Sequence, residues 1–78
     1  MEGHFFYNKM IVITGMFKGY TYDELKYIFI SFGAGVQPVV SRKTDYVIVG
    51  VSPDFTIMEL ASSYNKKLLY EDDLIVWI

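Results

Sequence analysis

The 78-residue chain has no cysteine, and its single histidine is His4. Disulfide bridges, thiolate zinc sites and a cysteine nucleophile are excluded by the first absence. The second leaves no histidine base for a serine nucleophile in the body of the chain. No apolar run approaches the ~18 residues of a membrane span, and no basic segment followed by an apolar one marks a secretion signal. The expectation is a cytoplasmic chain without membrane contact. A surplus of positive charge is missing too: seven basic residues against nine acidic ones give a net charge of −2, which argues against a domain that coats the DNA backbone non-specifically. The one basic cluster in the middle of the chain is Arg42-Lys43.

What remains is 53% hydrophobic and 18% aromatic, enough apolar area for one core in a chain too short for two. Residues 1–5 read as a leader and residues 6–78 as a single domain, expected to be monomeric. Phe5-Phe6-Tyr7 is either a lid on the core or an interface with a preceding domain.

The organising stretch is Met10-Ile11-Val12-Ile13-Thr14-Gly15. It does not alternate and is filled with β-branched residues, so it reads as a central strand covered on both faces of an α/β sheet. Ligands bind beyond the carboxyl ends of such strands, which makes Thr14 and Gly15 the first candidate site. The plainer alternative is a strand stopping at a turn residue. Tyr46-Val47-Ile48-Val49-Gly50 is the matching second interior run.

Helices punctuate these strands. Thr21 and Glu24 form a capping box, Leu25, Ile28, Phe29 and Phe32 make one apolar face, and Gly33 ends the helix. Thr56 to Glu59 reads as a second box, with Ile57, Leu60, Ala61 and Tyr64 as its stripe and Asn65 as a left-handed stop. Glu71, Asp72 and Asp73 open a third helix where the dipole favours negative charge, with Leu74, Trp77 and Ile78 on its apolar face. A strand region over residues 35–40 carries Pro38, which fits an edge strand or a strand end. The short link from there to Tyr46 suggests an antiparallel hairpin. A short strand, Lys66-Lys67-Leu68-Leu69-Tyr70, carries the lysines that suit an exposed edge.

Catalytic constellations are sparse. Asp72 and Asp73 are explained by the helix dipole, and Gly33-Ala34-Gly35 follows a helix where a dinucleotide fingerprint would follow a strand. The expectation is a domain without enzymatic activity, cofactor or metal.

In order, Ile11-Val12-Ile13-Thr14-Gly15, Phe32-Gly33-Ala34, the run from Val40 through Ser41-Arg42-Lys43-Thr44-Asp45 to Gly50, Ala61, and the apolar strand before Glu71-Asp72-Asp73-Leu74 resemble the BRCT domain. The similarity covers about Phe6 to Ile78. It is nearest to the subtype found in bacterial NAD-dependent DNA ligases, exonucleases of the DNA polymerase III epsilon type and the clamp-loader large subunit. It implies a four-stranded parallel sheet in order 2-1-3-4 flanked by three helices, the first and third on one face. The hairpin would then be wrong, with residues 39–45 returning along the sheet.

The resemblance also implies a non-catalytic module of a bacterial DNA replication or repair protein. Its partner would be another protein or an adjoining domain of its parent. The alternative is a reader of 5′-phosphorylated DNA ends or phosphopeptides. The family's phosphate pocket would use Thr14 and Gly15, an arginine where this chain has Tyr22, and a lysine where it has Ile57 or Thr56. Both cations are absent. Thr14, Gly15, Lys43 and Thr56 are the phosphate-binding candidates, Lys43 only if its loop reaches round to the pocket.

Overall fold

Strand β1 (Met10–Thr14) alternates in space although not in hydropathy. Ile11 and Ile13 enter one core with Phe6, Leu25, Phe29, Ala34, Ile48 and Leu74, while Val12 enters a second core with Val40, Val47, Val49 and Ala61. A strand buried on both faces has no polar position to offer, which is why the run is apolar throughout. These relations come from a computed structural model that describes residues 3–77.

The remaining elements follow in chain order: α1 (Tyr22–Ser31), β2 (Gly35–Gln37), β3 (Tyr46–Val49), α2 (Phe55–Ser63), β4 (Lys67–Tyr70) and a terminal 3-10 helix (Glu71–Val76). The sheet is wholly parallel in order β2-β1-β3-β4, with Ile11 beside both Val36 and Tyr46, and Val47 beside Leu68. Leu25 and Phe29 of α1 and Leu74 of the 3-10 helix bury in the first core, and Ala61 of α2 in the second. The first and third helices therefore share one face and the second covers the other.

The hairpin suggested by the short link does not form. β2 stops at Gln37, before Pro38, and residues 38–45 cross back over the α2 face, where Val40 is buried in the second core. Apolar burial of Val40 and the satisfied backbone of β1 on both edges outweigh the local preference for a tight turn. The strand region expected over residues 35–40 is accordingly three residues long.

α1 begins as its box requires: Glu24 N donates to Thr21 Oγ1 at 3.1 Å and Thr21 N to Glu24 Oε1 at 2.8 Å. Gly33 ends it at φ +91°, and Asn65 takes φ +54° after α2, as left-handed stops should. Ile28 stays half-buried outside the first core. The expected Thr56–Glu59 box is corrected. Asp54 is the cap of α2, its Oδ1 accepting from Ile57 N at 3.0 Å, because a carboxylate two residues nearer the strand reaches the free N–H groups first. The last helix is 3-10, as suits a six-residue segment too short to repay α-helix nucleation. Ile78 lies outside the described residues.

Packing extends into the amino-terminal segment. Phe6 is fully buried, His4 stacks on Phe32 with ring centroids 3.8 Å apart, and Phe5 stacks on Trp77 at 4.6 Å. The aromatic triplet is thus partly core, through Phe6, and partly surface, through Phe5 and Tyr7.

Candidate functional site

A parallel sheet in this order has its switch point between β1 and β3, where the chain leaves for opposite edges, and the crevice beyond the strand ends is the customary ligand position. Thr14 and Gly15 stand there. Thr14 is 5% exposed, and its Oγ1 accepts from Asp54 N at 2.8 Å, fastening the end of β1 to the start of α2. Gly15 has φ +89°, and a Cβ on it would lie 2.8 Å from the carbonyl carbon of Gly50. A Cβ on Gly50 would in turn strike Met16 O. The two strand ends therefore pass in direct backbone contact, continued by the Met16–Val51 bridge with N···O distances of 2.8 and 2.7 Å. Both glycines are required by that approach before any ligand is considered.

The other candidates are not gathered at this point. Thr56 is exposed on the first turn of α2, near the strand end but released from the capping role. Ile57 is half-buried and packs against the second core, and Tyr22 is 43% exposed at the first position of α1. Lys43 precedes β3, so it lies at the amino end of the sheet, opposite Thr14. Its loop does not reach round, because each turn of it is pinned: Lys43 N donates to Ser41 Oγ at 3.2 Å, Ser41 N to Thr44 Oγ1 at 2.9 Å, and Thr44 Oγ1 to Gln37 Oε1 at 2.7 Å.

Acidic side chains supply the charge at the carboxyl end. Glu71 accepts from Lys18 N and Gly19 N, each at 2.9 Å, and these two backbone donors hold its carboxyl below the usual range. Asp73 Oδ2 takes Tyr70 N at 2.9 Å. Beside them a groove of about 540 Å³ runs between the loop after β1 and the 3-10 helix, lined among others by Lys18, Tyr20, Gly50, Val51, Glu71 and Ile75. Its rim is apolar, with Val51 61% and Ile75 78% exposed. Among the described residues no group of three or more metal-ligating side chains occurs.

This topology, with a Thr-Gly pair closing the central strand and a Ser-Arg-Lys-Thr turn before the third, agrees with a match to the BRCA1 C Terminus (BRCT) domain family over residues 2–76. The chain is a member of the BRCT family. The BRCT domain is 39% identical over 73 residues to a DNA ligase of Clostridium novyi, covering 94% of this chain and 11% of the ligase. It is 37% identical over 71 residues to a DNA ligase of Pseudothermotoga lettingae, covering 91% and 10%. A DNA ligase of Buchnera aphidicola is 49% identical over 49 residues, 63% of this chain and 7% of the ligase. The chain thus spans about a tenth of the length of the relatives it matches.

Two structural features at this end of the BRCT domain escaped the sequence. Asp54 was readable as a cap, since an Asp after Pro53 heads the α2 stripe, but the Thr-x-x-Glu pattern two residues on was the louder signal. The clasp of Glu71 on Lys18 and Gly19 spans more than 50 positions and leaves no local pattern.

Proposed function

We propose that residues 6–78 act as a non-catalytic interaction module of a bacterial DNA replication or repair protein, a cytoplasmic monomer that docks on a protein partner or on an adjoining domain of its parent. Similarity to DNA ligases, of which the chain covers about a tenth, supports reading it as a small part of a larger enzyme whose activity resides elsewhere. The observation that carries the reading is the make-up of the carboxyl end. Met16, Val51 and Ile75 are 74, 61 and 78% exposed there, beside a groove whose lining includes Glu71 and Asp72, a surface suited to a mixed apolar and basic protein patch and poorly suited to a phosphate. Thr14 offers a hydroxyl already engaged by Asp54 N, and charge-assisted bonds, about twice as strong as neutral ones, have no donor at positions 22 and 57.

The test compares a 5′-phosphorylated recessed duplex with its unphosphorylated twin at physiological salt. Equal binding is expected. Tyr22→Arg together with Thr56→Lys should create a preference, each hydrogen bond to the phosphate contributing about 1.5–3 kcal/mol before ordering costs. A strong preference in the unaltered domain would overturn the interaction-module reading in favour of end binding through Thr14 and Gly15.

A further inference from the structure

Helix α1 carries two side chains on its outer flank that the fold does not use. Tyr27 is 74% exposed, and a large ring left in water forgoes the burial that would stabilise the domain. Glu24 is spent on the capping box, whereas Asp23, beside it in the first turn, takes no part in the box. Asp23 and Tyr27 are four residues apart and therefore neighbours on the helix surface, as are Glu24 and Ile28. Together with Tyr20 these four side chains line a groove of about 450 Å³. Tyr20 is half-buried against the first core, so one aromatic wall is held by packing and the other by the helix. Lys26 does not line the groove: at about 3.6 residues per turn it lies on the far side of Asp23 from Tyr27. Lys18 lines the adjoining strand-end groove, which shares Tyr20.

We propose that the groove on α1 is a subsite for an arginine side chain that a protein partner presents between apolar residues. It rests on the reading of the domain as an interaction module and adds a second contact beside the strand-end groove. Tyrosine faces attract a cation, and a planar guanidinium stacks on them where a compact ammonium keeps its water. The carboxylates supply the complementary charge: Asp23 can accept two parallel N–H bonds from the guanidinium fork, and no cation lines the groove to neutralise it. An acidic peptide or a phosphate would meet two carboxylates there and no positive charge. Ile28, half-buried, gives the flanking residues an apolar floor.

A blocked Leu-Arg-Leu tripeptide, titrated into the intact domain and followed by amide shifts, tests this beside versions with lysine and with citrulline, the uncharged isostere of arginine. The amides of Tyr20, Asp23 and Tyr27 should move. The citrulline version should bind about tenfold more weakly, as the loss of a hydrogen bond to a charged group requires, and the lysine version should also bind more weakly. Asp23→Asn and Tyr27→Ala should each reduce arginine binding several-fold, with little change in unfolding temperature because both side chains are exposed. Tyr27→Phe should keep the binding, and so should Glu59→Gln, which alters an exposed carboxylate on α2 across the sheet. Equal affinity for arginine and citrulline or for arginine and lysine, shifts confined to Lys18, Gly19 and Glu71, indifference to Asp23→Asn and Tyr27→Ala, or no shift at millimolar peptide would each overturn the subsite. None of these outcomes touches the comparison of phosphorylated and unphosphorylated duplexes, so the subsite can fail while the interaction-module reading stands, and a strong 5′-phosphate preference would overturn that reading whatever the tripeptide does.

Discussion

The two ends of the sheet use charge in opposite ways. At the carboxyl end the carboxylates are consumed by the fold: Asp54 caps α2, Glu71 holds Lys18 and Gly19, and Asp73 holds Tyr70. In a parallel α/β unit helices start at that end, and their unpaired N–H groups and positive dipole ends attract resident anions. At the amino end the bracing is mixed, with Thr44 between Ser41 and Gln37, the Asp45 carboxylate on Met10 N and Lys66 Nζ on Arg42 O, and Arg42, Lys43 and Lys67 are left exposed. Charge engaged with backbone is architecture; charge left unengaged on a rigid support is available to a partner. Net charge cannot express that difference.

The comparison is broken most severely at the carboxyl end by Gly15→Ala. The substituted residue would keep φ near +89° and press its Cβ against Gly50, so a loss of about 2–5 kcal/mol is expected from left-handed strain and overpacking together. Denaturant unfolding measures it, and a loss under 0.5 kcal/mol would mean that the strand ends do not approach as closely as described. The corresponding cut at the amino end is Thr44→Val, which keeps the shape but strands Ser41 N and Gln37 Oε1. About 1–3 kcal/mol should be lost, together with faster amide exchange at residues 41–45. Slow exchange there would mean that the basic loop is braced by something other than Thr44.

The smallest effect concerns pH. Glu71 has its carboxyl lowered from 4.5 by the Lys18 and Gly19 N–H groups, so its contribution to stability is complete above that ordinary value and drains away as pH falls through the lower folded one. Glu71→Gln should remove that part of the acid dependence and leave the rest. An identical slope in the variant and the parent between pH 5 and pH 2 would show that the clasp carries no linkage.

The fold was legible where one level of structure decided it. Ile11-Val12-Ile13 and Val47-Ile48-Val49 are apolar because both faces are covered, and Thr21, Glu24 and Gly33 bound α1 by local hydrogen bonding and backbone conformation alone. Reading stopped where distant parts compete. The link from Gln37 to Tyr46 is short enough for a hairpin, and only the core site for Val40 makes it a crossover. Thr56 resembled a cap until Asp54, drawn in by the Thr14 hydroxyl, took the position. Lys43 could join the Thr14 pocket only if its loop reached round, and the register of β1 against β3 puts it at the other end of the sheet.

The central place of β1 also sets a conflict between the order of synthesis and the order of pairing. It is the first strand to leave the ribosome, yet both its neighbours come later, Val36 beside Ile11 on one side and Tyr46 on the other. This apolar run must therefore wait, with the row of backbone groups that faces β3 open, until more than half the domain has been translated. Such long-range pairing folds slowly and leaves an aggregation-prone segment bare in the meantime, so the nascent chain is most exposed to self-association during the interval in which residues 36–49 are still being made.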